Sequence, residues 1–394
     1  MRQKNPRFLL PLLVIVLAAV VMRAPMGCVG PLVGDIRSSL GIPAVVAGLL
    51  TTIPLIAFAL SSPIAGRLAV SLDSRVLLLG TLFLTIIGLA LRSYAGTAGL
   101  FLGTLLLGFS IGTLGVFLPA LIRHCFPEHL GLVMGIFSSA MTAASALSSG
   151  TCEWIAASFG GWRAGLVASI LPTILTIAVC LFAQRSFAGK LSAGEEVGRY
   201  QYFNGKNMSV AAYWGLQAFL FFTCITWFPS IWEDHCGLSG VSGKMLLLMQ
   251  LCCLPPTFLL PILCEKVQRK GLLTVFCTLL FVPGIALLLP RGQSLALAVL
   301  SSVLLGLANG ATMSLGLTFV ALRGRTAAET AGISALTQCI GYLLAAFGPM
   351  GIGFVFDLTG KWDSALLLLM IFAVMMALVG SYSGSVVSTS GETK

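Results

Sequence analysis

From Phe8 to residue 384 the chain is a succession of apolar runs, each about 20 residues long and set apart by short polar joints. No run alternates apolar and polar residues with a period of two, so these are helices rather than barrel strands. A helix satisfies its own backbone groups across a bilayer, which an isolated strand cannot do. The runs fall at 8–33, 45–69, 76–94, 98–122, 131–157, 163–184, 209–232, 244–265, 271–290, 294–321, 329–356 and 362–384, which makes twelve spans. Span 10 is the least regular, because Gly306 and Gly310 interrupt its pattern. With 394 residues, 57% hydrophobic and only 9% charged, the chain has too little polar surface to solvate a soluble globule. The expected fold class is an all-α integral membrane protein with twelve transmembrane helices.

The run after "MRQKNPR" is too long for a cleavable signal, lacks a small-x-small cleavage site and leads into eleven more spans, so it is expected to remain as span 1. With the N-terminus inside, sixteen Lys and Arg fall on the cytoplasmic side, among them Arg2, Lys4, Arg185, Arg199 and Lys394. Six fall on the other: Arg37, Arg92, Arg163, Lys244, Arg291 and Lys361. Positive residues resist translocation, so both termini are expected in the cytoplasm of a bacterium, with the chain in the inner membrane. The net charge of +10 is then topological, and no nucleic-acid partner is expected. The eleven cysteines show no C-x-x-C and no histidine at ligand spacing, so neither a metal nor a cofactor is expected.

The chain also repeats itself. At an offset near 198, "LLGFSIGTLGVFLPALIRHCFPEH" from Leu106 answers "LLGLANGATMSLGLTFVALRGRTA" from Leu304, matching Gly108 to Gly306, Gly112 to Gly310 and Arg123 to Arg323. "FGGWRAGL" answers "TGKWDSAL", pairing Trp162 with Trp362, and Pro63 pairs with Pro261. The expected organisation is a six-helix bundle over 1–184, a cytoplasmic central loop over 185–208 and a second six-helix bundle with a short tail over 209–394. Parallel six-helix halves are the layout of major facilitator transporters.

The stretches "MRAPMGCVGPLV", "AGLLTTIPLIAFALSSPIAG", "GFSIGTLGVFLPALIRHCFP", "TWFPSIW" and "GLANGATMSLGLTFVALR" lie in spans 1, 2, 4, 7 and 10. In them the sequence resembles the cyanate and 2-nitroimidazole porter (CynX/NimT) family of that superfamily. The resemblance implies transport of a small solute and an arginine in the first helix in an "R…GPL" context, which Arg23 matches. It departs from the superfamily in one place. The joint between spans 2 and 3 usually reads G-x-x-x-D-[RK]-x-G-[RK], whereas Gly66 is followed by "RLAVSLDSR" with Asp73 three residues late.

Arg23 is the strongest single signal. It lies roughly 22 Å from Phe8 along a helix, where an arginine costs about 2.5–3.5 kcal/mol unless it faces protein or water. Its planar fork suits a small anion or a planar polar group; a structural arginine bonded to neighbouring carbonyls is the alternative. None of the thirteen Asp and Glu lies in the central third of a span, so a substrate anion would serve as counter-ion. Arg23, Gly27, Gly30 and Gly34 share one face of a continuous helix.

Asn309, Gln338, Tyr342, Gln250 and Gln217 are the further polar candidates for the substrate site, and Phe221 and Trp227 the aromatic ones. Trp154, Trp162, Trp232 and Trp362 are expected in an interfacial belt. Pro54 and Pro63, with Pro255 and Pro261 at equivalent places, are hinge candidates. Glu153 is the candidate for coupling to a proton, and facilitated diffusion, anion exchange and proton symport through a protonated substrate are the alternatives, so a proton or a counter-ion is the candidate partner in transport. His124, His129 and His235 are expected in solvated joints.

The reading is a secondary active or facilitative transporter, working as a monomer by alternating access. It would move a small anionic or planar polar solute, cyanate-like or nitroimidazole-like by the resemblance. A multidrug or toxic-compound efflux pump with a structural Arg23 is the alternative, and a non-transporting receptor the third reading. No enzyme is expected, since no catalytic constellation lies at membrane depth.

Overall fold

The computed structural model describes residues 6–42, 44–183, 189–191, 203–238, 242–292 and 294–391. Arg2, Lys4, Arg185, Arg199 and Lys394, on which the orientation rests in part, lie outside them, as does most of the central loop. The described residues form α1 (Pro6–Gly27), α2 (Val29–Leu40), α3 (Ala44–Ser71), α4 (Ser74–Tyr94), α5 (Gly96–Cys125), α6 (Leu130–Phe159), α7 (Trp162–Val167), α8 (Ile170–Phe182), α9 (Gly205–Ser230), α10 (Ser242–Lys266), α11 (Lys270–Leu279), α12 (Phe281–Ala286), α13 (Leu295–Arg323), α14 (Ala327–Thr359) and α15 (Trp362–Gly391). A π-helical turn, Ile231–His235, extends α9, and no strand occurs among the described residues. Among the described residues, eleven helical stretches are long and apolar enough to cross a membrane. The expected ninth span is instead the shorter apolar stretch Lys270–Ala286, divided between α11 and α12.

Three expected spans are interrupted, and each break has the same chemical origin. Proline carries no N–H, so the carbonyl four residues earlier loses its helical donor. Pro31 strips Gly27, where α1 ends; Pro172 strips Ala168, just after α7; Pro283 strips Leu279, where α11 ends. Proline alone does not suffice. Pro54 and Pro63 lie inside the unbroken α3, and Pro255 and Pro261 inside the unbroken α10.

The chain divides into two compact units. The first comprises Met1–Tyr200 and Gly324–Cys339, the second Gln201–Arg323 and Ile340–Lys394. The sequence repeat recurs as the same joint inside each. In the first unit, a Cβ on Gly108 of α5 would lie 2.5 Å from Ala57 Cβ and 3.2 Å from Pro54 Cα of α3, and one on Gly112 would meet Ser61 and Phe58. In the second, a Cβ on Gly306 of α13 would meet the Met249 carbonyl and lie 2.6 Å from Cys252 Cβ of α10, and one on Gly310 would strike the Cys253 backbone. The matched glycines are where one helix lies directly against another's backbone. They do not interrupt the tenth span, as its sequence pattern implied: α13 runs unbroken through both.

The tryptophans correct the expected belt. Trp154 is exposed and meets Phe159 edge-on, as an interfacial residue would. Trp162, Trp232 and Trp362 are buried. Trp162 packs with Leu32 and Leu166, and Trp362 stacks on Phe356 at 4.0 Å. Each of these two opens its helix one or two residues after a positive-φ glycine, Gly161 before α7 and Gly360 before α15, a turn that folds the indole back into the bundle.

Candidate functional site

Arg23 stands one turn before the end of α1, and that end is unusually well tied. A helix leaves its last four carbonyls without intrahelical donors, here those of Ala24, Pro25, Met26 and Gly27. Three of them are taken by side chains. Ser148 Oγ donates to Ala24 O at 2.6 Å and Ser149 Oγ to Gly27 O at 2.9 Å, both from α6. Arg92 Nη1 donates to Pro25 O at 2.9 Å from α4. Gly27 allows the close approach: a Cβ there would sit 2.7 Å from the Ser145 carbonyl oxygen.

The break divides the glycine face that a continuous helix would have carried. Gly27 packs on α6, whereas Gly30 and Gly34, beyond the break, have open space where a Cβ would point. Arg23 itself is half-buried, in line with the half-buried Val16 and Val20 one and two turns before it. It makes no hydrogen bond or ion pair with another described residue. The guanidinium is thus a free fork on a helix whose end is fixed.

Arg92 went unrecognised in the sequence, where it reads as a joint residue at the end of span 3. It is 1% exposed. Besides Pro25 O, its guanidinium donates to Leu166 O at 3.3 Å, near the end of α7, and lies 3.7 Å from Cys28 Sγ. No carboxylate among the described residues pairs with it; ion pairs there join Arg75 to Asp73, and Arg291 and His235 to Asp363. Its charge is met by carbonyls at the C-terminal ends of α1 and α7, where helix dipoles place partial negative charge. The legible signal was the cluster of Pro25, Gly27 and Pro31, which marks a helix end in need of donors.

The other candidates divide between the units. In the first unit Gln338 of α14 is buried, donates to Ser334 Oγ at 3.0 Å, and lies so close to Gly115 that a Cβ there would sit 2.5 Å from its Oε1. Beside it, a Cβ on Gly66 would meet Ala335 at 2.7 Å, and Arg123 reaches the Arg325 carbonyl at 3.4 Å. Asp73, the displaced acid of the joint, caps α4. It accepts from Arg75 N, Nε and Nη2, each at 2.9 Å, and from Gly189 N at 3.1 Å. The side-chain bond from Arg75 is the main reason its carboxyl is held well below the usual carboxylate range. Glu153 lies on the exposed side of α6, and no hydrogen bond or ion pair joins it to another described residue.

In the second unit Asn309 is buried on α13, and its Nδ2 donates to Leu305 O of its own helix at 3.0 Å, leaving Oδ1 without a partner. Gln217 is buried on α9 with Nε2 unpaired, and Gln250 is half-buried on α10. Phe221 meets Phe222 edge-on at 5.3 Å, and Tyr342 meets Trp214 edge-on at 6.4 Å. Trp227 is pinned: its indole N–H donates to Pro349 O at 2.7 Å, and its ring lies 5.6 Å from that of Trp362. His235 is buried rather than solvated, with Nε2 3.0 Å from Leu289 O and 3.8 Å from Asp363 Oδ1. Among the described residues no three His, Cys, Asp or Glu side chains converge to hold a metal ion.

Residues 15–346, most of the chain, match the family described as Major Facilitator Superfamily. The chain belongs to that superfamily. Within it, the sequence is 34% identical over 375 residues to the uncharacterized transporter YycB of Bacillus subtilis (strain 168), covering 94% of this chain and 92% of the relative. It is 32% identical over 377 residues to the 2-nitroimidazole transporter of Escherichia coli (strain K12), covering 94% of each. The cyanate transport protein CynX of the same organism is 25% identical, covering 89% of this chain and 91% of the relative. The resemblance to the cyanate and 2-nitroimidazole group is therefore shown over nearly the whole length. Among solved structures, the proton:xylose symporter XylE has a TM-score of 0.77 at 14% identity, covering 94% of each chain, which is a likeness of fold alone. This superfamily member is a multi-pass membrane transporter of small solutes.

Proposed function

We propose that the protein moves a small anionic or planar polar solute across the bacterial inner membrane by alternating access, with Arg23 as the anchor for that solute. The observation that carries the reading is a half-buried guanidinium in an apolar span with no partner among the described residues. Such a group is costly at membrane depth unless something polar faces it. A carboxylate-like or otherwise planar acceptor takes both arms of the fork, which an ammonium would hold less specifically. Relatives described as carrying 2-nitroimidazole and cyanate support a flat or linear small solute. Gln338, Asn309, Tyr342, Gln250, Gln217, Phe221 and Trp227 are proposed to supply further contacts, with Trp227 the most constrained of them by its bond to Pro349.

The test is thermal stabilisation of the purified protein by cyanate and by 2-nitroimidazole, since a ligand that binds the native state raises its stability by mass action. Saturable stabilisation of wild type that is lost in Arg23→Gln is the expected result. Equal stabilisation of both proteins would remove Arg23 from the site.

A further inference from the structure

We infer that Arg92 is a positioning residue for Arg23: by clamping the ends of two broken helices, it fixes the end of α1 and so the place from which Arg23 meets its solute. The inference rests on the anchor role proposed for Arg23. Its ground is a buried cation with no carboxylate partner among the described residues. Arg92 is 1% exposed, and everything it bonds is a backbone carbonyl or a thiol at a helix break.

The geometry is specific to the break. Pro31 strips Gly27 O of its donor, and the helix that carries Arg23 stops there instead of continuing into α2. Pro25 O, two residues beyond Arg23, lies in that last turn and accepts from Arg92 Nη1 at 2.9 Å and, more weakly, from Cys28 Sγ at 3.4 Å. The same guanidinium reaches Leu166 O at 3.3 Å, so a single planar fork joins α1 to α7. Nε finds no partner among the described residues, and so the two terminal nitrogens carry the clamp. A lysine holds the charge but carries its donors on one nitrogen rather than two spaced by a planar fork, and it can serve only one of these carbonyls well. Arg92 touches no solute in this scheme. It acts by keeping the last turn of α1 in one position, a tie reinforced by Ser148 and Ser149 from α6.

The experiment is a double-mutant cycle on cyanate binding, read as cyanate-dependent thermal stabilisation of wild type, Arg92→Lys, Arg23→Lys and the double variant, with Arg23→Gln as the control for the anchor. Arg92→Lys is expected to weaken cyanate about tenfold, a change of about 1.4 kcal/mol. In the Arg23→Lys background the same substitution should cost much less, because the two residues act through one helix end. A residue that merely holds the fold would lower the unliganded melting temperature and leave cyanate affinity unchanged, which would overturn the inference. So would additive losses in the double variant. A second readout needs no ligand: alkylation of Cys28 by a membrane-permeant maleimide, mapped by mass spectrometry, should accelerate in Arg92→Lys, because loosening the clamp opens to reagent a thiol that is 1% exposed. An unchanged rate would show that the break does not depend on Arg92. If Arg23→Gln binds cyanate like wild type, the anchor reading fails and this inference with it. If Arg23→Gln loses binding while Arg92→Lys retains it, only this inference fails.

Discussion

Replacing Gly306 with alanine tests whether the sequence repeat encodes a packing joint. The new Cβ would meet the Met249 carbonyl oxygen and lie 2.6 Å from Cys252 Cβ, where carbon atoms normally rest at about 3.5–4.0 Å. The side of α10 facing Gly306 is backbone, which cannot rotate away, so α13 and α10 must part by about 1 Å. Overpacking of this kind costs about 1–3 kcal/mol, against which alanine returns about 1 kcal/mol of helix propensity. Because the far side cannot yield, the cost lies at the upper end, about 2–3 kcal/mol, and the net loss is about 1–2 kcal/mol. Gly108→Ala, at the matching place, faces Ala57 Cβ at 2.5 Å and should fall by a similar amount. Gly30→Ala and Gly34→Ala meet nothing within 4 Å and should hold or raise stability. The assay is scanning fluorimetry of the four detergent-solubilised variants beside wild type. A Gly306→Ala protein as stable as wild type, or a Gly34→Ala protein that loses as much, would refute the reasoning.

Removing the cap of α4 with Asp73→Ala should cost about 1 kcal/mol at neutral pH. Because the folded carboxyl titrates below its unfolded value, the wild-type advantage should be complete near pH 7 and close progressively below about pH 4, as thermal melts across pH would show. Gly115→Leu drives a side chain into Gln338, so transport should fall more steeply than in Gly30→Leu, where there is room. Trp227→Phe keeps most of the ring but removes the indole N–H that donates to Pro349 O. A loss of about 1 kcal/mol is expected in thermal unfolding, with the indole of Trp362 as an intrinsic fluorescence reporter.

Much of the fold was legible because membrane helices announce themselves by length and hydropathy, and because the repeat places Gly108 with Gly306 and Gly112 with Gly310. The breaks were less so. Pro31, Pro172 and Pro283 end helices whereas Pro54, Pro63, Pro255 and Pro261 do not; at α1 the orphaned carbonyls find donors on α4 and α6, while at the Pro172 break Ala168 O takes the local Leu171 N–H. The buried tryptophans were misplaced because an indole near a span end reads the same whether it faces headgroups or, as at Trp162 and Trp362, folds back after a positive-φ glycine. Arg23 was visible because the apolar run 8–33 reads as one span with the arginine well inside it, whereas the break at Gly27 leaves it one turn from the end of α1. Arg92, one turn from the end of its own, resembles any loop arginine until Pro25 and Leu166 are seen beside it.

The most direct test of the Arg23 anchor is uptake of radiolabelled cyanate into proteoliposomes containing wild type, Arg23→Lys or Arg23→Gln. Saturable uptake by wild type, reduced uptake by the lysine variant and uptake at the level of empty liposomes by the glutamine variant are the predicted results. Uptake by Arg23→Gln equal to that of wild type would contradict the account.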